Sequence, residues 1–95
     1  MLSRNFRTRF GEIDLVMEDA ATVVFVEVRY RGASPLVAPA ESVDRPKQRR
    51  LCRAAEIYLR ARPELAERPC RFDVVALADD GEAGTIQWIP RAFDA

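Results

Sequence analysis

The 95-residue sequence has no histidine, only two cysteines and only one lysine among its fifteen basic residues. Cys52 and Cys70 stand alone, without the CxxC spacing of a metal site, so the sequence indicates neither a zinc site nor a disulfide scaffold. No window approaches the roughly 18 consecutive apolar residues of a membrane span, and the sequence does not begin with a signal-peptide pattern. A cytoplasmic protein without a membrane partner is therefore expected.

The chain also has no net charge, because its fifteen basic residues balance its fifteen acidic residues. A neutral chain argues against a protein that coats nucleic acid through bulk charge. The charges are unevenly placed, with ten basic and seven acidic residues in 1–53 but five basic and eight acidic residues in 54–95. The first half is therefore the candidate anion-binding half. The length and the 48% hydrophobic content predict a single domain over residues 1–95.

Two apolar strand-like runs carry carboxylates, Glu12 and Asp14 in the first and Glu27 in the second. Because side chains alternate along a strand, Glu12 and Asp14 are expected to share a face. A hairpin with its turn near residues 20–21 would set Asp14 directly opposite Glu27. Like charges opposed across two strands destabilise a sheet unless something neutralises them, as a divalent cation would. Mg²⁺ takes such oxygen ligands, with Mn²⁺ as an alternative, so the pattern indicates a metal site for phosphate chemistry.

A second interpretation of these acids needs no metal. Each carboxylate could form an ion pair on a solvated end of the sheet. The candidate partners of Asp14 and Glu27 are Arg7, Arg29 and Arg31, whereas the candidate partner of Glu12 is Arg9.

The N-terminal third of the chain predicts a three-stranded meander. A first edge strand over Ser3–Arg9 precedes the two acidic runs. The hairpin register would place Ile13 and Leu15 on one face together with Val26 and Val28.

The rest of the chain completes the order β-β-β-α-β-β. A loop is predicted over 32–39, after which Asp44 caps a helix that runs to about Arg62. Strands over Cys70–Leu77 and Thr85–Ile89 are expected to form a final hairpin. The predicted fold class is α/β, more narrowly α+β, with a mixed sheet in which the third and fourth strands are parallel.

The N-terminal half of the predicted helix is strongly basic. Residues 45–53 carry five basic residues in nine, and cations are unfavourable near a helix N-terminus unless an anion is also bound there. A nucleic-acid-binding stripe and a solvated helix face both fit this pattern. Arg29 and Arg31 likewise fit either phosphate contact or charge balance within the hairpin. The candidate nucleic-acid-binding residues are Arg7, Arg31, Arg45, Lys47, Arg49, Arg50 and Arg53.

Motifs along nearly the whole chain resemble those of the YraN-like family of predicted endonucleases. The strings that carry the resemblance are Asn5-x-Arg7, Gly11-Glu12-Ile13-Asp14-Leu15, Phe25-Val26-Glu27-Val28-Arg29-x-Arg31, Ser42-Val43-Asp44, Lys47 and Arg71-Phe72-Asp73-Val74-Val75. That family is similar to the PD-(D/E)xK nuclease superfamily, which has a restriction endonuclease-like core. The resemblance implies a Mg²⁺-dependent endonuclease that acts on DNA, with branched or structured DNA as the expected substrate.

The resemblance also implies residue roles. Asp14 and Glu27 would bind the metal, with the Val28 carbonyl as a third ligand, and Glu12 is a further candidate ligand. Arg29 stands where the superfamily usually has lysine. Because a guanidinium stays protonated, Arg29 could stabilise negative charge but could not easily act as a base. Lys47 is the candidate substitute.

Three residues in the C-terminal part have structural roles in this interpretation. Asp73 is expected to position a helix or an arginine. Trp88 and Phe93 are expected in the core or as a terminal anchor.

Members of the family usually begin with a further helix, which covers the sheet and carries another acid, and this sequence begins after it. The expected fold is a restriction endonuclease-like core without that first helix, and a second copy of the chain is one expected cover for the open sheet face. Two other functions stay open. One is a catalytically inactive nucleic-acid-binding or assembly module with the nuclease fold, and the other is a protein-interaction domain.

Overall fold

The computed structural model describes residues 1–31, 43–79 and 84–94. Its strands are β1 (Ser3–Thr8), β2 (Gly11–Asp19), β3 (Thr22–Arg31), β4 (Cys70–Asp79) and β5 (Gly84–Phe93), and its helices are α1 (Arg45–Arg60) and α2 (Pro63–Ala66). The predicted α+β fold with one main helix is confirmed, whereas the one-turn helix α2 was not predicted. The predicted loop at 32–39 lies outside the described residues. Within the described residues, no helix has the length and apolar character needed to cross a membrane.

The five strands form one mixed sheet in the order β1-β2-β3-β4-β5. Neighbouring strands are antiparallel except for β3 and β4, which run parallel and are connected through the segment that contains α1 and α2. The parallel pair is the arrangement predicted from a helix between the third and fourth strands. It places β3, which carries Glu27, at the centre of the sheet.

Helix α1 begins where the capping pattern predicted. The Asp44 side chain accepts a hydrogen bond of 2.9 Å from the Lys47 amide, and proline occupies the first turn, where a missing amide costs nothing. The helix ends at Arg60, two residues before the predicted end. Its apolar stripe packs on the sheet, and the buried Tyr58 ring meets Phe25 edge-on, with ring centroids 5.9 Å apart.

One prediction about the β2 face was wrong. Ile13 is buried in the core between α1 and the sheet, whereas Leu15 packs with Val26 on the opposite face. Val16 joins Ile13 in the α1-side core although it is three residues away, so the alternation of side chains breaks within β2. Glu12 and Asp14 therefore cannot be assigned to one face by counting along the strand.

The face of the sheet away from α1 has a buried centre and an exposed end. Val24 and Val26 are buried there, whereas the large side chains of Tyr30 and Ile86 are exposed. Burial of this face by a second copy of the chain stays a prediction.

Asp73 accepts several hydrogen bonds at the end of the sheet where β4 and β5 change register. Its fully buried carboxylate accepts hydrogen bonds from Arg71, from the Trp88 indole and from the Arg91 amide. Arg91 lies where the β4–β5 register shifts, and it has a positive φ of 51°. The expectation that Asp73 positions an arginine is confirmed, since the Arg71 guanidinium is held on it at 3.1 Å.

The two expected anchors behave differently. Trp88 is 46% exposed, so the alternative that places it in the core was wrong. Its ring lies on the outer face of the sheet, and its N–H group donates a hydrogen bond to Asp73. Phe93 does pack against the core and stacks on Phe72, with ring centroids 4.9 Å apart. β5 reaches Phe93, four residues beyond the predicted strand end at Ile89.

Candidate functional site

The β2–β3 hairpin has the predicted register and the predicted turn. Pairing runs from Leu15 opposite Val26 to Asp19 opposite Thr22, and residues 20–21 form the turn. The paired segment ends at Leu15, one step before Asp14. There the Asp14 carboxylate accepts a 2.8 Å hydrogen bond from the Val28 amide. The side chain of Asp14 thus binds the β3 backbone beyond the last backbone pair.

Asn5 lies opposite Asp14 and was not singled out as a site residue from the sequence. The β1–β2 register pairs Arg4 with Leu15 and Phe6 with Ile13, which brackets Asn5 and Asp14 between regular pairs. Asn5 has a positive φ of 53°, a conformation that asparagine tolerates better than most residues. The break in alternation occurs in both strands at this point. The available signal was an asparagine inside a strand, where that residue is depleted.

Glu27 is the buried acid of the site. It lies on the α1 side of β3 and is 6% exposed, and its Oε1 atom is 3.4 Å from the Lys47 ammonium nitrogen. Its Oε2 atom is buried without a hydrogen-bond partner. Burial raises the pKa of Glu27 to about 7, the neighbouring Asp14 carboxylate adds to the increase, and Lys47 opposes it. The Glu27 carboxyl is therefore poised between its neutral and ionised forms near neutral pH.

The donor set fits a small hard cation. Both side chains offer carboxylate oxygens, and one buried oxygen of Glu27 has no partner. Mg²⁺ commonly takes only one or two protein carboxylates and keeps water or substrate oxygens in its other positions. Within the described residues, no group of three or more acidic, cysteine or histidine side chains is arranged to hold a metal ion. The protein would therefore supply Asp14 and Glu27, leaving positions for water and phosphate.

The other predicted ligands and charge-stabilising residues have different surroundings. Glu12 faces Arg7, with 3.6 Å between their charged atoms, rather than joining Asp14 and Glu27. Val28 contributes its amide to Asp14, and the metal-binding role of its carbonyl stays a prediction. Arg29 is half-buried on β3, two residues beyond Glu27. Arg31 ends β3, and its side chain lies outside the part that the structure describes.

Comparison with known sequences identifies the family. A profile described as uncharacterised protein family UPF0102 matches residues 1–77, a range that includes Asp14, Glu27 and Lys47. The chain belongs to UPF0102. It is 52% identical over 95 residues to a UPF0102 protein of Pseudomonas entomophila, covering 99% of this chain and 77% of the relative. A UPF0102 protein of Stutzerimonas stutzeri is 50% identical over 95 residues, covering 100% of this chain and 79% of the relative.

In this UPF0102 family member, the predicted basic residues of α1 form an exposed surface. Arg45, Arg49 and Arg53 lie at intervals of four residues and line a groove of about 540 Å³. Arg50 is exposed on the same helix, and its Cβ lies near Gly11, the first residue of β2. The predicted stripe is therefore solvent-facing, and its binding of nucleic acid stays a prediction.

The β1–β2 turn adds two residues that sequence reasoning did not select. The guanidinium carbons of Arg9 and Arg53 lie 4.9 and 5.4 Å from the centre of the Phe10 ring. The turn thus brings an aromatic ring and a further cation to the basic side of α1. The sequence signal was an Arg-Phe pair at the end of the predicted first strand, and it did not indicate a contact with the helix.

Proposed function

We propose that this UPF0102 family member is a metal-dependent phosphodiesterase that cleaves DNA. The observation that carries the proposal is the buried Glu27 carboxylate, with one unpartnered oxygen beside Asp14 and with Lys47 at 3.4 Å. A buried polar atom without a hydrogen-bond partner is costly, so the unpartnered Oε2 atom of Glu27 usually indicates a ligand or a functional reason. The motif resemblance to PD-(D/E)xK nucleases supplies the reaction class.

Asp14 and Glu27 are the residues that would hold the cation. When bound, Mg²⁺ supplies Lewis-acid stabilisation of phosphate charge and lowers the pKa of a bound water. Asp14 is oriented for this role because its carboxylate is anchored to the Val28 amide. Glu27 is oriented by β3 at the centre of the sheet and by the Lys47 contact.

Lys47 and Arg29 are the cations next to these acids. Lys47 extends from the first turn of α1, where the Asp44 cap fixes the start of the helix, so its ammonium group approaches Glu27 from the helix side. It can donate hydrogen bonds to a phosphate oxygen that lies against Glu27. Arg29 follows Glu27 on the central strand and, as a permanent cation, suits stabilisation of the charged transition state. The described residues thus provide paired acids and adjacent cations for phosphodiester hydrolysis.

Asp14→Ala tests the proposal in a nicking assay on labelled branched DNA with Mg²⁺. We expect the wild type to cleave and the variant to be slower by about 100-fold or more, because a ligand for the cation is lost. Glu12→Ala is the matched control, since Glu12 lies two residues away and pairs with Arg7. Its rate should stay within about threefold of the wild type, since an exposed ion pair contributes little.

Equal cleavage by the wild type and Asp14→Ala would remove Asp14 from the mechanism. If the wild type binds DNA in a salt-dependent way but never cleaves it with Mg²⁺ or Mn²⁺, the function is that of a non-catalytic nucleic-acid-binding module.

A further inference from the structure

The groove beside α1 combines two kinds of polar group. Arg45, Arg49 and Arg53 line it together with the acceptor side chains of Glu56 and Asp94, the latter just after β5. Within the ranges that the structure describes, none of the three arginines forms an ion pair, although both acids line the same groove. The guanidinium groups are therefore available to an external anion.

The spacing of the arginines suits a phosphate backbone. Residues four apart on an α-helix are about 6 Å apart along its axis, so the three side chains form a row about 12 Å long. A guanidinium can donate two parallel hydrogen bonds to one phosphate, which makes arginine a favourable residue for such a row. The first turn of α1 contains no acidic residue, so bound phosphate would also relieve repulsion between these cations and the helix dipole.

The acceptors in the groove indicate that more than phosphate is recognised. Carboxylates repel phosphate but accept hydrogen bonds from the amino groups on base edges. Gln48 also lines the groove, and because its amide nitrogen donates to the Val43 carbonyl at 2.9 Å, its carbonyl oxygen is the group left for a ligand. The groove therefore offers donors for a backbone and acceptors for bases.

The size of the groove favours an unpaired strand over a duplex. A volume of about 540 Å³ is that of a site for a small ligand, which corresponds to one or two nucleotides. In a duplex the Watson–Crick edges of the bases are already paired, so recognition of those edges is typical of unpaired strands. Phe10 does not line the groove, but its ring contacts the groove residue Arg53 and adds an aromatic group beside it.

We propose that the α1 groove binds an unpaired nucleic-acid strand, so that the substrate carries a single-stranded segment next to the cleavage point. This rests on the proposed function, because the same helix carries Lys47, which lies in its first turn at the candidate metal centre, and also lines the groove. Strand binding itself uses groove side chains and does not require the metal.

Fluorescence anisotropy in EDTA tests the groove separately from cleavage. The probes are a labelled 12-nucleotide single strand and the same sequence as a duplex, with dAMP as a competitor. We expect the wild type to bind the single strand at least tenfold more tightly than the duplex. Arg49→Ala should weaken single-strand binding about three- to tenfold and lower the slope of log K against log salt by about 0.7. Arg45, Arg49 and Arg53 changed together to alanine should weaken binding about 100-fold.

Arg60→Ala is the matched control, because Arg60 is exposed on the last turn of the same helix and does not line the groove. It should bind as the wild type does, and circular dichroism should show all variants folded. Equal affinity for duplex and single strand, or equal weakening by Arg60→Ala and Arg49→Ala, would overturn the proposal. The proposal would also be overturned if dAMP displaced the labelled strand at concentrations as low as those at which an oligonucleotide binds. If the protein nicks DNA but shows no preference for single strands, only the proposal for the groove is refuted. If it binds single strands but does not nick DNA, only the proposed nuclease activity is refuted.

Discussion

Glu27→Gln is expected to reduce Mg²⁺-dependent DNA cleavage by about 100-fold or more and to remove a pH dependence of stability worth roughly 3 kcal/mol. The carboxyl of Glu27 is buried, and its pKa rises from an ordinary value of 4.5 to about 7. At a pH between 4.5 and about 7, Glu27 is protonated in the folded state but has lost its proton in the unfolded state. The free energy of unfolding of the metal-free wild type should therefore fall as pH rises from 4.5 through 7.

Glutamine at this position keeps the shape of the side chain and has no proton to lose. The difference in unfolding free energy between Glu27→Gln and the wild type should therefore move in favour of the variant by roughly 3 kcal/mol from pH 4 to pH 8. Urea unfolding in EDTA at both pH values measures this difference. Glu12→Gln, which changes a more exposed acid paired with Arg7, should show no comparable trend. A Glu27→Gln difference that is flat with pH would contradict a strongly raised pKa at Glu27.

Asp73→Ala is expected to lower the free energy of unfolding by about 3 to 5 kcal/mol, a large share of the stability of a small domain. The Asp73 carboxylate is fully buried and accepts hydrogen bonds from the Trp88 indole at 2.8 Å and the Arg91 amide at 3.0 Å. It also accepts from the Arg71 guanidinium at 3.1 Å. Alanine would leave these donors without their acceptor where the β4–β5 register shifts.

Asp19→Ala is the control for Asp73→Ala, because Asp19 is the second carboxylate on Arg71 but is 65% exposed. An exposed ion pair contributes little, so this variant should lose less than about 1 kcal/mol. Thermal or urea unfolding of both variants measures the contrast. Similar losses for the two variants would show that the buried network around Asp73 does not have the assigned role.

Much of the fold followed from local patterns. The hairpin register came from two apolar runs and a short connection, and the start of α1 came from Asp44 followed by proline. These features depend on residues close in sequence, so periodicity and capping chemistry are sufficient to predict them. The parallel pairing of β3 and β4 followed from the helix that connects them.

Features that depend on residues far apart in the sequence could not be predicted from these local patterns. The change of face in β2 occurs with a positive φ at Asn5 in the neighbouring strand, so strict alternation placed Ile13 on the wrong face. Trp88 was expected in the core or as a terminal anchor. Its position on the outer face could not be predicted, because its bond to Asp73 exists only once β4 and β5 pair. The proximity of Asp14 to Glu27 could be predicted, whereas the unpartnered Glu27 oxygen required the structure.

Calorimetric titration of Mn²⁺ and Mg²⁺ tests the central claim most directly, since it measures whether Asp14 and Glu27 hold a cation. The wild type is expected to bind one ion, with affinity that increases from pH 6 to pH 8 because binding must displace the proton on Glu27. Asp14→Asn and Glu27→Gln should each lose binding by about tenfold or more, whereas Glu12→Gln should bind as the wild type does. No binding by the wild type, or equal binding by all four proteins, would contradict the account.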